Sequence, residues 1–276
     1  MKSFAKLITP YVVWMFAMII VPMLMIVLYA FTVQGNSVLT LQFTLSNFAR
    51  FFSDPIFPAV LLRSLKMALF TTVFCIMIGY PIAYIIARAA PRAQKTMITL
   101  IMVPMWMNFL IRTYAWMTIL QDTGLLNGLL QNLGLGTVHI IGTEAAVVIG
   151  MVYDYLPYMI MPIYSIMAKM DNKLLEAAKD LGCNNVAVLR RVIWPLSLPG
   201  VISGITMVLV PSISTFYISQ KLGNGKFYLI GDAIEGQYVA GNLHFAAAIA
   251  FIMMIILLAG MALMRRLADR HMRGGM

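Results

Sequence analysis

D-N-K-L-L-E-A-A-K-D-L-G-C-N-N-V-A-V-L-R-R-V-I-W-P-L-S-L-P-G, residues Asp171–Gly200, is the longest clearly water-compatible segment of an otherwise mostly apolar chain. Leu174, Leu175, Ala178 and Leu181 recur at helical spacing, with Lys173, Glu176, Lys179 and Asp180 between them. Gly182 supplies a stop, and Asn184 a cap for a second short helix striped by Val186, Val188, Leu189 and Val192. Pro195 and Pro199 close the segment before a new hydrophobic run. The pattern predicts two short helices with a bend, outside a membrane, exposing an apolar ridge suited to docking another protein.

On both sides the chain reads as membrane. Of 276 residues, 61% are hydrophobic and 11% charged, which excludes an ordinary soluble domain. Six apolar runs are each close to the roughly 20 residues that cross a bilayer. They fall at about Tyr11–Val33, Leu65–Ala87, Met97–Leu120, Glu144–Met167, Val201–Ser219 and Phe245–Met264. The first is too long for a signal-peptide core and no small-residue cleavage pattern follows, so it is expected to be retained. Between the runs lie a turn-rich segment Gln34–Leu62, a basic turn around Arg88–Lys95, a glycine-rich stretch Gln121–Thr143 with a short helix at Leu125–Leu133, and a loop Lys221–His244.

The net charge of +10 is explained by where the charges fall, not by nucleic acid. With the N-terminus cytoplasmic, the inner segments carry Lys2, Lys6, Arg88, Arg92, Lys95, Lys169, Lys173, Lys179, Arg190, Arg191 and the C-terminal Arg265, Arg266, Arg270 and Arg273. The outer side has only Arg50, Arg63, Lys66, Lys221 and Lys226. This asymmetry places both termini and the Asp171–Gly200 loop in the cytoplasm. Cys75 and Cys183 fall in a span and in that loop, a placement that argues against a disulfide.

Catalytic signatures are missing. The sequence has no G-x-x-x-x-G-K-[ST], G-x-S-x-G or H-E-x-x-H, and His139, His244 and His271 are scattered. A membrane enzyme or sensor would need a catalytic constellation or a large soluble domain, and neither is visible. Pro104, Pro157, Pro162 and Pro211 lie inside the third to fifth runs and mark those helices as irregular.

Two ionisable residues lie at membrane depth. Asp154 is about 15 Å from the start of its span at 1.5 Å per residue, and Arg112 is in the outer third of the span before it. A charge there needs a partner or water. Asp154 therefore either offers a carboxylate to a cationic solute or pairs with Arg112. Trp106, Tyr155 and Phe216 supply aromatic faces, and Tyr158 is one helical turn from Asp154. Tyr114 and Trp116 fit an interfacial belt. Ser212, Thr215 and Ser219 form a polar stripe. The expected solute pathway comprises Asp154, Tyr158, Trp106, Tyr155, Ser212, Thr215 and Phe216.

Glu176-Ala177-Ala178, three residues, Gly182, nine residues, Val192, two residues and Pro195 match at every spacing the EAA loop of permease subunits of ATP-binding-cassette importers. Cys183, Leu189 and Trp194 depart from the family's commonest residues, Ala, Phe and Leu. The stretches L-I-R-T-Y-A-W-M (Leu110–Met117), G-L-L-N-G-L-L (Gly124–Leu130), Gly150–Tyr164 and P-S-I-S-T-F-Y-I-S (Pro211–Ser219) look most like the B-type permeases of spermidine/putrescine importers.

This resemblance implies an all-α, polytopic type I importer permease with six transmembrane helices. Residues 1–60 would form the first span and outer segment, 61–265 a five-helix core including the coupling loop 171–200, and 266–276 a basic tail. It implies a non-enzymatic transport subunit of a bacterial inner membrane. Its implied partners are a second permease, as a heterodimer, two ATPase subunits that bind the ATP and Mg, and an extracytoplasmic polyamine-binding protein. Glu176, Ala177, Ala178, Gly182, Cys183, Asn184 and Leu189 would meet the ATPase, and this chain would hold no cofactor or metal. Another small cationic solute, such as an opine, thiamine or aminoethylphosphonate, is the alternative cargo.

Overall fold

The computed structural model describes residues 2–33, 35 and 42–273. Most of the turn expected near Gly35, residues 34 and 36–41, lies outside the described residues, as do the side chains of Lys2, Lys6, Arg265, Arg270 and Arg273. The helices are α1 (Lys2–Ala30), α2 (Ser46–Ser53), α3 (Ile56–Arg88), α4 (Pro91–Trp106), α5 (Phe109–Leu120), α6 (Leu125–Asn132), α7 (Glu144–Met167), α8 (Asn172–Asp180), α9 (Asn185–Val188), α10 (Trp194–Ser214), α11 (Tyr217–Leu222), α12 (Ile230–Val239) and α13 (Leu243–Arg273). Extended pairing among the described residues is one bridge, Thr32 to Phe43.

Five stretches are long and apolar enough to cross a membrane: Ile8–Ala30, Ile56–Arg88, Glu144–Met167, Asn185–Ser214 and Leu243–Met264. A bent pair, Pro91–Trp106 with Phe109–Asn132, passes the same test together and makes a sixth when counted as one span. The all-α polytopic architecture is the one expected, and the fourth run matches α7 to the residue.

The third run does not match. The continuous helix expected over Met97–Leu120 is two rods bent by 95°. Pro104 sits in the last turn of α4, and Met107 and Asn108 then take extended backbone angles. The Asn108 Oδ1 accepts the Leu110 N–H at 2.8 Å and restarts the helix as α5. Asn108 is therefore a helix cap at the break in the span.

The fifth run also differs. Pro195 and Pro199 do not close the loop; helix continues through them from Asn185 to Ser214. Pro195 has no N–H to return to Arg191, and the chain before it, Leu189–Ile193, runs as a wide π turn. The helix ends at Ser214, not Ser219, because Thr215 is extended and Phe216 precedes the separate α11. The loop expected over Lys221–His244 contains α12.

The chain forms two compact units, residues 1–61 with 230–259 and residues 62–229 with 260–276. In the first, the apolar side chains of α1 are bare, with Trp14, Phe16 and Leu24 all exposed, and only Ala30 among the described ones from Ile8 onward is buried. Ala30 packs with Ala247 and Ala248, beneath Phe31, Phe48 and Phe251. The Asn47 amide donates to the Ala30 and Thr32 carbonyls, both at 3.1 Å, and so satisfies the open end of α1.

In the second unit α7 is the centre, burying Met151, Met159, Ile160, Ile163 and Met167. Glycines let its neighbours approach. A Cβ on Gly200 would lie 2.8 Å from the Pro162 carbonyl, one on Gly204 2.7 Å from Met159 Sδ, and one on Gly79 of α3 3.1 Å from Met159 Cγ. Gly200 and Gly204 are one turn apart and share a face of α10. Small residues at that spacing bring helix backbones together in membranes, where lipid offers no hydrophobic drive for association. The Tyr80 hydroxyl, 3.0 Å from Ser197 Oγ, ties α3 to the start of α10.

Candidate functional site

The Asp171–Gly200 segment folds as two capped helices. The Asp171 Oδ1 accepts the Lys173 N–H at 2.9 Å, starting α8, and the Asn184 Oδ1 accepts the Ala187 N–H at 2.8 Å, starting α9. Between them Gly182 has φ +82°, the Gly182 N–H donates to the Lys179 carbonyl and the Cys183 N–H to the Ala178 carbonyl. This is the left-handed C-terminal cap that glycine adopts without strain.

The apolar stripe is divided between two faces. Leu175, Ala178, Cys183, Val188 and Ile193 pack inward on the core that holds Ile163 and Met167. Leu174, Leu181, Val186 and Leu189 point out, with Leu181 86% and Val186 71% exposed. Glu176, Ala177, Gly182 and Asn184 are exposed as well, as are Lys173, Lys179, Arg190 and Arg191 of the same segment. An apolar ridge with a basic rim, standing on a rigid capped bend, is a surface that suits a partner protein.

A second centre lies where α5, α7 and the end of α10 meet. Arg112 Nη1 is 2.8 Å from Asp154 Oδ1; the Asp154 side chain is buried, at 5% exposure, and that of Arg112 largely so, at 11%. Of the two roles open to Asp154, the carboxylate is taken up by Arg112. Beside it the Tyr155 hydroxyl donates to the Pro211 carbonyl at 3.4 Å, bridging α7 to the last turn of α10.

The pathway residues expected from sequence are only partly gathered. Asp154, Tyr155, Ser212 and Thr215 are buried or half-buried, while Phe216 is exposed at the break in α10. Ser212 does not present an open hydroxyl: its Oγ donates to the Val208 carbonyl at 2.6 Å, and Ser219 Oγ donates to the Phe216 carbonyl at 2.6 Å. Two of the three hydroxyls of the expected polar stripe are thus turned back onto nearby backbone. Tyr158 is 41% exposed although Asp154 one turn away is buried, and Trp106 is 75% exposed at the end of α4.

Sequence reading passed over two features. Asn127, in G-L-L-N-G-L-L, is buried and clamps Val138 from both sides, its Nδ2 donating to the carbonyl at 3.0 Å and its Oδ1 accepting the N–H at 2.8 Å. A lone buried-side asparagine at the turn of a short helix is the signal that was available. Lys221, read as an outer-loop charge, lies over the rings of Tyr114 and Tyr217.

Residues 79–273 match the family described as binding-protein-dependent transport system inner membrane component. The chain is 36% identical over 241 residues to the spermidine/putrescine transport system permease protein PotB of Haemophilus influenzae, covering 86% of this chain and 84% of that one. It is 39% identical over 229 residues to the PotB of Escherichia coli, covering 82% and 83%. Among solved structures, a bacterial alginate ABC transporter in complex with an alginate pentasaccharide-bound periplasmic protein superposes with a TM-score of 0.76 at 15% identity, covering 98% of this chain and 94% of that one. An inward-facing MetNI methionine ABC transporter superposes with a TM-score of 0.54 at 18% identity, covering 80% and 98%. At those identities the two structures speak for the fold alone.

Proposed function

The chain belongs to the binding-protein-dependent transport system inner membrane components, and on that premise we propose that it is the permease subunit of an ATP-driven polyamine importer. It is a multi-pass inner-membrane protein and a transport subunit, not an enzyme. One observation carries the choice of solute: 39% identity to a spermidine/putrescine permease over 82% of this chain and 83% of the relative. The fold does not choose, because the same architecture serves an alginate transporter.

The proposed mechanism is alternating access. A separate ATPase binds ATP and Mg and docks on Leu174, Leu181, Val186 and Leu189, with Glu176, Ala177, Ala178, Gly182, Cys183 and Asn184 forming the bend it grips. Its closure moves α8 and α9, and α9 is continuous with α10 through the π turn, so the push is carried directly into a span. The broken span α4–α5 and the broken end of α10 are the elements with least regular backbone, and they flank the Arg112–Asp154 pair. The pathway is proposed to follow this junction past Tyr155, Thr215 and Phe216, with a second permease supplying the facing half. A solute-binding protein delivers polyamine from outside, with both termini of this chain in the cytoplasm.

The test is purification in mild detergent, identification of the co-purifying chains, and uptake of labelled putrescine and spermidine by the reconstituted assembly. Polyamine uptake dependent on ATP and on a binding protein is expected. Uptake of thiamine, an opine or aminoethylphosphonate with no polyamine uptake would reassign the cargo while leaving the importer role in place.

A further inference from the structure

Among the described residues, ion pairs join Lys66 to Glu144, Arg112 to Asp154 and His139 to Asp122, and Lys221 belongs to none of them. Its ammonium group instead lies 5.3 Å from the ring centroid of Tyr114 and 5.6 Å from that of Tyr217. The two rings are 6.3 Å apart and nearly perpendicular, at 83°, so they form two walls of a corner. The corner is uncovered on one side: Tyr114 is 45% exposed and Lys221 is half-buried.

The corner joins the buried ion pair through touching groups. Tyr217 stacks on Phe109 at 5.8 Å, and the Arg112 guanidinium lies 5.8 Å from the Phe109 ring. From Asp154 outward, the order is carboxylate, guanidinium, ring, ring, ring, ammonium. A lysine side chain is a primary ammonium on a four-carbon stem. The end of an aliphatic polyamine is the same chemical group, and aromatic faces bind it through their negative quadrupole.

We propose that the Tyr114–Tyr217 corner is an ammonium-binding site of the transport path and that Lys221 is its tethered occupant, displaced when the primary ammonium of a polyamine arrives. This rests on the polyamine reading above. Lys221 keeps the corner filled between transport events, and its charge opposes a second cation entering while it remains. A lysine retained only to favour the C-terminal end of α11 would have no such competition with solute.

Equilibrium binding of radiolabelled spermidine to the full importer, purified with its partner subunits but without the binding protein, tests the inference. Lys221→Met removes the competitor and keeps the stem, and should tighten binding about three- to tenfold, the size of a cation–aromatic contact. Tyr114→Leu should weaken binding and, combined with Lys221→Met, should abolish the gain. Lys226→Met removes an equal charge from the same loop and should change nothing. Unchanged affinity in Lys221→Met, or an equal gain in Lys226→Met, overturns the proposal. Should Lys221→Met fail to assemble, Tyr114→Leu carries the test alone, and undiminished spermidine binding then overturns it. A wild-type importer that takes up no polyamine overturns the functional reading and this inference with it. Normal polyamine uptake with identical binding across all variants overturns this inference alone.

Discussion

At the scale of single residues, the Arg112–Asp154 pair is where depth and charge meet. Each group alone would be a charge held away from water, and together they form an ion pair at 2.8 Å. Among the described residues the Arg112 Nε has no hydrogen-bond acceptor and the Asp154 Oδ1 no hydrogen-bond donor, so each group depends on the other's charge. Breaking a buried pair from one side costs roughly 3–5 kcal/mol, because the remaining charge is stranded. Asp154→Asn is therefore expected to lower the thermal stability of the detergent-purified assembly before it changes solute affinity. The double variant Asp154→Asn with Arg112→Gln should recover assembly, as two neutral amides can pair. Full thermostability in Asp154→Asn with lost uptake would show instead that the carboxylate serves the solute. Sequence alone left these roles open for a geometric reason. A straight helix over Met97–Leu120 sets Arg112 and Asp154 at different depths, and only the break at Met107–Asn108 frees α5 to turn its fourth residue toward α7.

At the scale of elements, glycines decide what the helices can do, and they do so in two ways. Gly182 is needed for its backbone: φ is +82° and, its chain neighbours aside, none of the described residues lies within 4 Å of where a Cβ would stand. Gly182→Asn should leave the bend intact, since asparagine tolerates the left-handed region, whereas Gly182→Ala should cost about 1–2 kcal/mol locally. Gly182→Asp should insert normally but lose ATPase association and ATP-driven uptake. The open space around the position means that any loss beyond backbone strain must come from a partner. Pull-down of the ATPase separates these cases, and retained association and transport in Gly182→Asp would refute the docking assignment. Gly200 and Gly204 are needed for space, so Gly204→Leu should prevent assembly by overpacking Met159, a cost of about 1–3 kcal/mol or more. Thermal melting of that variant at wild-type temperature would count against the close approach of α10 to α7. The loop was legible in the sequence because caps, stops and stripes are local signals: Gly182 and Asn184 act where they stand, and Asp171 adds a cap at the start of α8. The Gly200–Gly204 face and the Tyr114–Tyr217–Lys221 corner were not, because their partners are set by how α7, α5 and α11 fold together. The start of α10 was misread for a third reason, that prolines end helices in water but are carried through where a wide turn absorbs the missing donor.

At the scale of the whole molecule, the chain must choose a side of the membrane for its basic loop, and the charges argue for one choice. Arg88, Arg92, Lys95, Lys173, Lys179, Arg190 and Arg191 all lie in segments that alternate spans place on one side, together with the C-terminal arginines. Moving lysines and arginines across is what the positive-inside rule penalises. The free thiol of Cys183 is half-buried in that loop, and the free thiol of Cys75 is buried. Cys183 is therefore a native reporter: in sealed right-side-out cells a membrane-impermeant thiol reagent should leave the wild-type chain unmodified, and should label it once the membrane is opened. In a Cys183→Ala background, single cysteines at 128 and 224 should react from outside, and those at 92, 184 and 270 only after opening. Gly128 and Asn224 are exposed positions on α6 and in the turn after α11, so accessibility is not limiting there. Position 36 should also react from outside, although it lies beyond the described residues. Labelling of position 184 in sealed cells would put the EAA-like loop on the side without ATP and would remove both the docking surface and the importer mechanism at once.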